Sequence, residues 1–194
     1  INQKGNISEL RANKEVILSA GSINSPQLLL LSGVGPKQHL ADKDITLTHD
    51  LPGVGQNLQE HWHVNKIDKS SKKLSYGLSL TFILKNIFAP FIYLFTKKGL
   101  FASTFIEAGG FIKSNAVETK PDIQFHFTAA HGEDHGRKMP PGHSYTLHSC
   151  LLRPKSRGSV QLKSNDPSVY PEIRFNALEH PDDMTKLIKG FKIS

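Results

Sequence analysis

A turn of small residues stands directly before a helix start between residues 20 and 26. Ala20 and Gly21 leave the backbone unobstructed, and Ser25 and Pro26 are residue types that favour the first positions of a helix. A helix start also offers unpaired N–H groups and the positive end of the helix dipole. The unit could therefore hold an anionic ligand, and an ordinary strand–turn–helix is the alternative that the spacing leaves open.

The chain also contains ten histidines, a residue type that can bind a metal ion or transfer a proton. His61 and His63 form a His-x-His pair, which can bind a metal on a strand, but no third ligand stands nearby. His126, His131 and His135 have helical spacing, but glycines follow two of them and indicate a loop. We therefore predict no metal site and interpret these histidines as structural.

The elements around the small-residue turn follow from hydrophobic pattern and helix signals. The apolar run Glu15–Ser19 predicts a buried strand, and a helix from Ser25 through Leu31 is closed by Gly33. Other elements expected in this part are a hairpin arm over residues 1–13, a short helix from Gly35-Pro36 to Ala41 and a half-buried strand over Ile45–His49.

Residues 78–100 are strongly apolar, but Lys85 and Asn86 interrupt the run and Pro90 breaks it. A membrane span needs about 20 predominantly apolar residues, so a pair of amphipathic helices divided near Pro90 is predicted instead. The alternative is that this aromatic-rich surface sits on a membrane or lines the mouth of an apolar substrate pocket.

In the C-terminal half, apolar and polar residues alternate as in β-strands, and a helix is predicted at the end. Ile123, Phe125 and Phe127 share one face of a predicted strand, and a second β-prone run covers residues 144–152. Arg157 is expected to be a structural hydrogen-bonding residue. Further expectations are a strand through Val160 and Leu162 and a helix that begins at Pro181.

Three strings resemble the glucose–methanol–choline (GMC) family of flavin oxidoreductases. The string GSINSPQLLLLSGVG at 21–35 resembles its second signature, and LPGVGQNLQEH at 51–61 resembles a loop of the family, with Glu60 in place of the usual Asp. RPKSRGSVQL at 153–162 resembles the start of its C-terminal region. The residues around Gly99–Leu100 and Glu107–Ile112 are similar to animal glucose-dehydrogenase-like or ecdysone-oxidase-like members.

The resemblance implies the fold. It implies an α/β plus α+β fold, in which the C-terminal part of a Rossmann-like FAD-binding domain joins a substrate domain with an antiparallel sheet. Residues 1–61 would belong to the FAD-binding domain and residues 62–194 to an incomplete substrate domain, with the family's C-terminal region starting in 150–194.

The same resemblance implies the chemistry. The cofactor would be FAD, contacted by Ala20, Gly21, Ser25 and Pro26. The partners would be a small-molecule alcohol, sugar or sterol-like donor and an electron acceptor, with hydride transfer from the CH–OH group to flavin N5. The family's Gly-x-Gly-x-x-Gly motif and its catalytic histidine have no counterpart here, so no catalytic residue is assigned.

Because the Gly-x-Gly-x-x-Gly motif and the catalytic histidine are missing and both ends look like cuts through a longer protein, we expect this chain to be an internal piece of a longer enzyme. Alone, such a piece would be inactive. A truncated, non-catalytic relative that binds a hydrophobic ligand or partner is the alternative. A serine hydrolase is disfavoured because no Gly-x-Ser-x-Gly motif is present.

Composition narrows the remaining classes. The chain has 194 residues and a net charge of +7, but its basic residues are scattered in short clusters, which argues against nucleic-acid binding. The single cysteine, Cys150, is expected to be a buried thiol. A sequon at Asn6–Ser8 leaves localisation open, with secretion as one option.

Overall fold

The computed structural model describes residues 2–3, 6–7, 9–71, 75–130, 138 and 140–194. The helices are α1 (Gly21–Leu31), α2 (Lys37–Ala41), α3 (Leu80–Lys85), α4 (Ala89–Thr96) and α5 (Pro181–Ile193), and a 3₁₀ turn covers Leu100–Ala102. The strands are β1 (Asn2–Gln3), β2 (Asn6–Ile7), β3 (Val34–Gly35), β4 (His49–Asp50), β5 (Gln56–Leu58), β6 (His63–Lys69), β7 (Ile106–Ile112), β8 (Ile123–Thr128), β9 (Ser144–Leu151), β10 (Gly158–Gln161) and β11 (Glu172–Arg174).

The chain divides into two compact units. The first unit comprises residues 1–58 and 158–175, and the second comprises residues 59–157 and 176–194. The break after residue 58 lies close to the predicted domain boundary at 61, and the first unit also takes in residues 158–175. The functional assignment of the two predicted domains stays a prediction.

The first unit is built around α1 and a three-stranded antiparallel sheet in the order β11-β10-β5. Its buried core consists of Leu30, Leu40, Val54 and Leu162. The second short helix expected after Pro36 is confirmed as α2, and the predicted N-terminal hairpin is present as the antiparallel pair β1–β2. Gly33 takes the left-handed φ of 79° expected after α1.

The predicted buried strand over Glu15–Ser19 is wrong. These residues form no regular element, and Val16 and Ile17 are 78% and 77% exposed. A buried strand needs neighbouring strands to pair its backbone N–H and C=O groups and other side chains to cover both faces. No described residue pairs with 15–19, so the apolar pattern alone does not produce a strand here.

The half-buried strand predicted over Ile45–His49 is reduced to its last residue. Only His49 and Asp50 pair, in parallel with Val34 and Gly35 of β3. Pro36 follows β3 directly and has no N–H to donate, so the parallel ladder stops after two residues. Ile45 still packs against the core of the first unit.

The second unit contains a four-stranded antiparallel sheet in the order β6-β9-β8-β7. The strands predicted for residues 121–127 and 144–152 are confirmed as β8 and β9. Helix α5 lies on one face of the sheet, where Ile123, Leu151 and Leu187 form the buried core. A Cβ at Gly190 would stand 3.1 Å from the Ile123 side chain, so this glycine lets α5 approach β8 closely.

The apolar run after residue 78 forms two short helices, as predicted. Ser79 begins α3, and its hydroxyl accepts a hydrogen bond from the Phe82 N–H. Pro90 lies in the first turn of α4, which ends at Lys97 in a left-handed conformation. Among the described residues, none of the helices combines the length and apolar character that a membrane crossing requires.

Candidate functional site

The first residue of α1 is an unobstructed glycine at the surface. Gly21 has a φ of 83°, in the region that favours glycine, and no atom lies within 4 Å of the position that a Cβ would occupy. Gly33 has a similar φ of 79°, but there a Cβ would stand 2.3 Å from the Thr46 carbonyl oxygen. The positive φ favours glycine at both positions, but of these two only Gly21 has open space around the position of a Cβ.

The four residues of the predicted contact do not all lie at the helix start. Helix α1 begins at Gly21 and contains Pro26 in its interior, so the expectation that Ser25 caps the helix and Pro26 opens it is wrong. Ser25 instead accepts a hydrogen bond from the Ala20 N–H at 3.0 Å. This bond folds the turn back on the helix and holds Ala20 and Gly21 at its N-terminus.

At the N-terminus of α1, the Ser25 hydroxyl satisfies the Ala20 N–H, but no side chain caps the N–H groups of the helix itself or neutralises its dipole. Ala20 provides no side-chain hydrogen bond, and the first turn contains no acidic residue. The first N–H groups of a helix have no partner within the helix and carry the positive end of its dipole. An anionic or polar acceptor group fits this position. The assignment of Ala20, Gly21, Ser25 and Pro26 to FAD nevertheless stays a prediction.

The sheet of the second unit has a histidine-bearing face opposite α5. His126 and His148 are directly paired across β8 and β9, and His63 lies on the neighbouring strand β6. The ring centroids of His63 and His148 are 5.7 Å apart, and those of His126 and His148 are 6.5 Å apart. The Thr128 hydroxyl lies 3.3 Å from His148 Nε2.

The central histidine of this group, His148, has a lowered pKa. Burial lowers the pKa of His148 below its usual value, and nearby His63 and His126 lower it further. The lowered pKa favours the neutral form of the His148 imidazole. Sequence reasoning missed this grouping because it depends on strand register, and because strands were predicted around His126 and His148 but not around His63.

No metal centre is formed by the residues that the structure describes, since they contain no group of three His, Cys, Asp or Glu side chains able to hold an ion. His131 and His135 lie outside the described residues. Cys150 is a buried free thiol, as expected, and burial together with the nearby Glu60 carboxylate raises its pKa.

The segment 154–157 is fixed by the buried carboxylate of Asp183. The Lys155 N–H, the Ser156 N–H and the Ser156 hydroxyl all donate to this side chain, at distances between 2.7 and 3.0 Å. Burial by itself raises the pKa of Asp183, but these hydrogen bonds outweigh it and hold the pKa below its usual value. Asp183 is thus a structural anion.

Arg157 is structural, in agreement with its sequence interpretation. Its guanidinium donates to the carbonyl oxygen of Pro154 at 2.6 Å and to that of Ser156 at 3.0 Å. The side chain therefore closes the turn that precedes β10 by hydrogen bonding to its backbone.

Comparison with known proteins identifies the class to which this fold and this turn belong. Two models described as GMC oxidoreductase match residues 2–63 and 154–194. The chain belongs to the GMC oxidoreductase family. The family model for the N-terminal part includes the Gly21 turn, and the model for the C-terminal part includes the Asp183 anchor.

Individual relatives agree with this assignment. An alcohol dehydrogenase (acceptor) of Pseudomonas putida is 45% identical over 92% of this chain and 32% of its own length. An oxygen-dependent choline dehydrogenase of Rhizobium meliloti (strain 1021) is 40% identical over 96% of this chain and 34% of its own. The chain therefore spans about a third of the length of these curated relatives.

Solved structures support the same fold. A formate oxidase of Aspergillus oryzae RIB40, described for the effect of a mutation on FAD modification, has a TM-score of 0.80 and 26% identity over 94% of this chain and 36% of its own. The predicted mixed fold class is confirmed by such neighbours, and FAD is confirmed as the cofactor of the family. The animal glucose-dehydrogenase-like subtype is not distinguished by these comparisons.

Proposed function

We propose that the protein carrying this chain is an FAD-dependent oxidoreductase that converts the CH–OH group of a donor to a carbonyl and delivers the electrons to an acceptor. The observation that carries the proposal is the exposed Gly21 turn at the uncapped start of α1, inside a segment that matches the GMC oxidoreductase family. When bound, FAD supplies the hydride acceptor for this reaction. The activity belongs to the whole protein rather than to this stretch alone.

Within that enzyme, the chain would hold and orient the cofactor. Gly21 would bring its backbone N–H against an oxygen-bearing part of FAD, and the absence of a Cβ at Gly21 would permit the close approach. Ala20 would contact the cofactor without donating to it, because its N–H already donates to Ser25. Ser25 would act indirectly by holding the Ala20 N–H, and Pro26 would fix the backbone φ one position after Ser25. No residue of this chain is assigned as the catalytic base.

The two predicted domains form part of the proposal. Residues 1–61 would contribute to the FAD-binding domain and residues 62–194 to the substrate domain. The antiparallel sheet of the second unit would then wall the substrate cavity, with its histidine-bearing face as one candidate lining. For the electron acceptor, we propose only that one receives the electrons from the reduced flavin.

The subtype is a finer proposal. The Gly99–Leu100 and Glu107–Ile112 arrangement supports an animal glucose-dehydrogenase-like member. Glu107 accepts hydrogen bonds from the hydroxyl groups of Tyr76 and Ser103, both at 2.7 Å, so it organises the start of β7. A screen of sugar and sterol alcohols against choline and simple alcohols would test this subtype by relative kcat/KM.

Substitution of Gly21 tests the cofactor role directly. In the full-length protein, Gly21→Val would place a branched side chain in the open space before α1, and we expect FAD retention after gel filtration to fall at least about tenfold. Gly53→Val is the matched control, because Gly53 also has open space around a Cβ position and lies away from the start of α1. Flavin absorbance per protein is the readout.

A measurement of thermal unfolding separates loss of the cofactor from loss of fold. The glycine-favoured φ at Gly21 predicts a modest stability loss, so the cofactor-free forms of the variant and the wild type should unfold within several degrees of each other. A Gly21→Val protein that folds and keeps a full complement of FAD would contradict the proposed contact.

A non-catalytic relative that binds a hydrophobic ligand or partner is the second candidate. The exposed apolar side chains of α3 and α4 favour it. Flavin bleaching by an alcohol donor under anaerobic conditions would support the oxidoreductase, whereas a flavin-free full-length protein would support the alternative.

A further inference from the structure

The helices α3 and α4 expose nearly all of their apolar side chains. We define the α3–α4 surface as residues 80–101. Leu80, Phe88 and Phe95 are 72%, 66% and 80% exposed, and Ala89 alone is buried within the two helices. Neither helix contributes a large side chain to the two described cores. Contiguous exposed apolar surface of this kind marks an interaction site.

Two polar side chains within this surface are bonded to its own backbone. The Thr96 hydroxyl donates to the Ile92 carbonyl oxygen at 2.6 Å, and the Asn86 side-chain amide donates to the Phe82 carbonyl oxygen at 2.9 Å. A partner that offers no hydrogen bonds can therefore cover the surface without leaving these groups unpaired.

All charges on the surface are positive. Lys85 ends α3, and Lys97 and Lys98 follow α4, while the sequence has no Asp or Glu between Asp68 and Glu107. The Lys97 ammonium lies 5.3 Å from the centroid of the Tyr93 ring. Apolar and aromatic side chains with lysines at their margin are the pattern of an interfacial membrane segment.

The dimensions of the helices favour a position along the bilayer surface. Helix α4 has eight residues and is about 12 Å long, against a hydrocarbon core of about 30 Å. Its side chains can therefore enter only the interfacial layer. The apolar groups would reach the acyl boundary while the lysines stay at the headgroups.

The positive charge of the surface favours an anionic lipid bilayer over a second copy of the chain as its partner. A symmetric dimer through this surface would bring lysines toward lysines, with no carboxylate on the surface to pair with them. An anionic lipid surface instead supplies both an apolar interior and negative headgroups. We propose that the α3–α4 surface docks the protein on an anionic lipid bilayer.

Vesicle co-sedimentation of the full-length protein tests the docking. We expect binding to vesicles of phosphatidylcholine and phosphatidylglycerol at about 70:30, at least about tenfold weaker binding to pure phosphatidylcholine, and a decrease as salt is raised. The double variant Leu84→Ser with Phe95→Ser should reduce binding to the mixed vesicles at least about tenfold. The triple variant Lys85→Glu, Lys97→Glu and Lys98→Glu should abolish the preference for anionic lipid.

Matched controls lie elsewhere on the chain. Val117 and Tyr170 are 79% and 86% exposed, so Val117→Ser with Tyr170→Ser removes apolar groups outside the surface and should leave vesicle binding unchanged. Lys120→Glu, Lys163→Glu and Lys192→Glu together change net charge as much as the triple variant, at exposed positions outside the surface. Equal losses in both charge variants would show a non-specific effect and overturn the proposal.

Three further results would overturn it. One is the absence of binding to either vesicle. Another is a wild-type dimer in sedimentation equilibrium that dissociates in the Leu84→Ser, Phe95→Ser variant, which would assign the surface to a second copy. The third is a large fall in the lipid-free melting temperature of that variant, which would show that other parts of the native protein bury these side chains.

Discussion

The starts of α5 and α1 are both helix N-termini, but their polar groups have opposite environments. At α5, the His180 side chain caps the Asp182 N–H, two acidic residues occupy the first turn, and Asp183 is fully buried among donors. At α1, there is no side-chain cap and no acidic residue, and Gly21 faces open space. One N-terminus is neutralised by its own chain, whereas the other is available to a ligand.

The difference between the two helix N-termini distinguishes residues that hold the fold together from residues that can bind a ligand. A buried carboxylate with several donors fixes a loop and leaves no capacity for a further partner. An uncapped helix start at the surface retains unpaired donors and the dipole field. Removing the buried carboxylate at α5 should therefore lower stability, whereas adding a carboxylate at the start of α1 should weaken ligand binding.

The largest effect is expected from Asp183→Ala. The substitution leaves the N–H groups of Lys155 and Ser156 without their buried acceptor, so the free energy of unfolding should fall by about 3 kcal/mol or more. Urea unfolding of the chain, followed by circular dichroism, measures the change. Asp182→Ala is the control, because its exposed ion pair with Lys155 should contribute far less. Equal effects of both variants would break the comparison.

A pH dependence of stability should follow from the same carboxylate. The pKa values of Asp183 and Asp122 are both lowered in the folded chain; burial opposes this shift, but hydrogen bonds from Ser156 and Lys155, and from Ser114 and Lys186, exceed it. Their stabilisation is therefore complete above the unfolded-state value of about 3.9 and is lost as pH falls through the lower folded-state values.

Acid titration of the unfolding free energy checks this sign. Asp183→Asn should reduce the loss of stability between about pH 5 and pH 2, because the carboxamide cannot become protonated in that range. A variant whose acid sensitivity equals that of the wild type would show that Asp183 does not titrate with folding.

The smallest effect is expected from Ser22→Asp, which gives α1 the acidic first turn that α5 already has. The added carboxylate should raise the free energy of unfolding by about 0.5 kcal/mol through the helix dipole. In the full-length protein it should also weaken FAD retention, since it competes for the same N–H groups. A Ser22→Asp protein that is more stable and keeps FAD fully would separate the helix start from the cofactor. Ser22→Asn is the uncharged control.

The sequence predicted those features that depend on short-range pattern. Strand β8 followed from the alternation of Ile123, Phe125 and Phe127, and the two helices around Pro90 followed from the interruption of an apolar run. The small-residue stretch at Gly21 was singled out because the residue types and spacing of an entire signature identify it, although the helix begins at Gly21 and not at Ser25 as predicted. Each of these patterns is complete within a short stretch of chain.

Features that depend on distant partners could not be predicted in the same way. The apolar run Glu15–Ser19 predicts a strand only if neighbours pair with it, and the described chain provides none. The grouping of His63, His126 and His148 depends on the register of three strands. The helix that begins at Pro181 was predicted, but the role of Asp183 as the acceptor for residues 155 and 156 requires the tertiary fold.

The pairing of β5 with β10 has a consequence for how the chain acquires its structure during synthesis. Leu58 pairs with Gly158, so the sheet of the first unit closes only after the long intervening segment has been made. At about 5–20 residues per second, the ribosome needs several seconds to deliver that strand. During this interval α1 and the Gly21 turn lack the strand against which α1 packs. The unpaired edge of β5 is then open to chaperones and to aggregation, whereas in the second unit the β7–β8 pair is complete by residue 128.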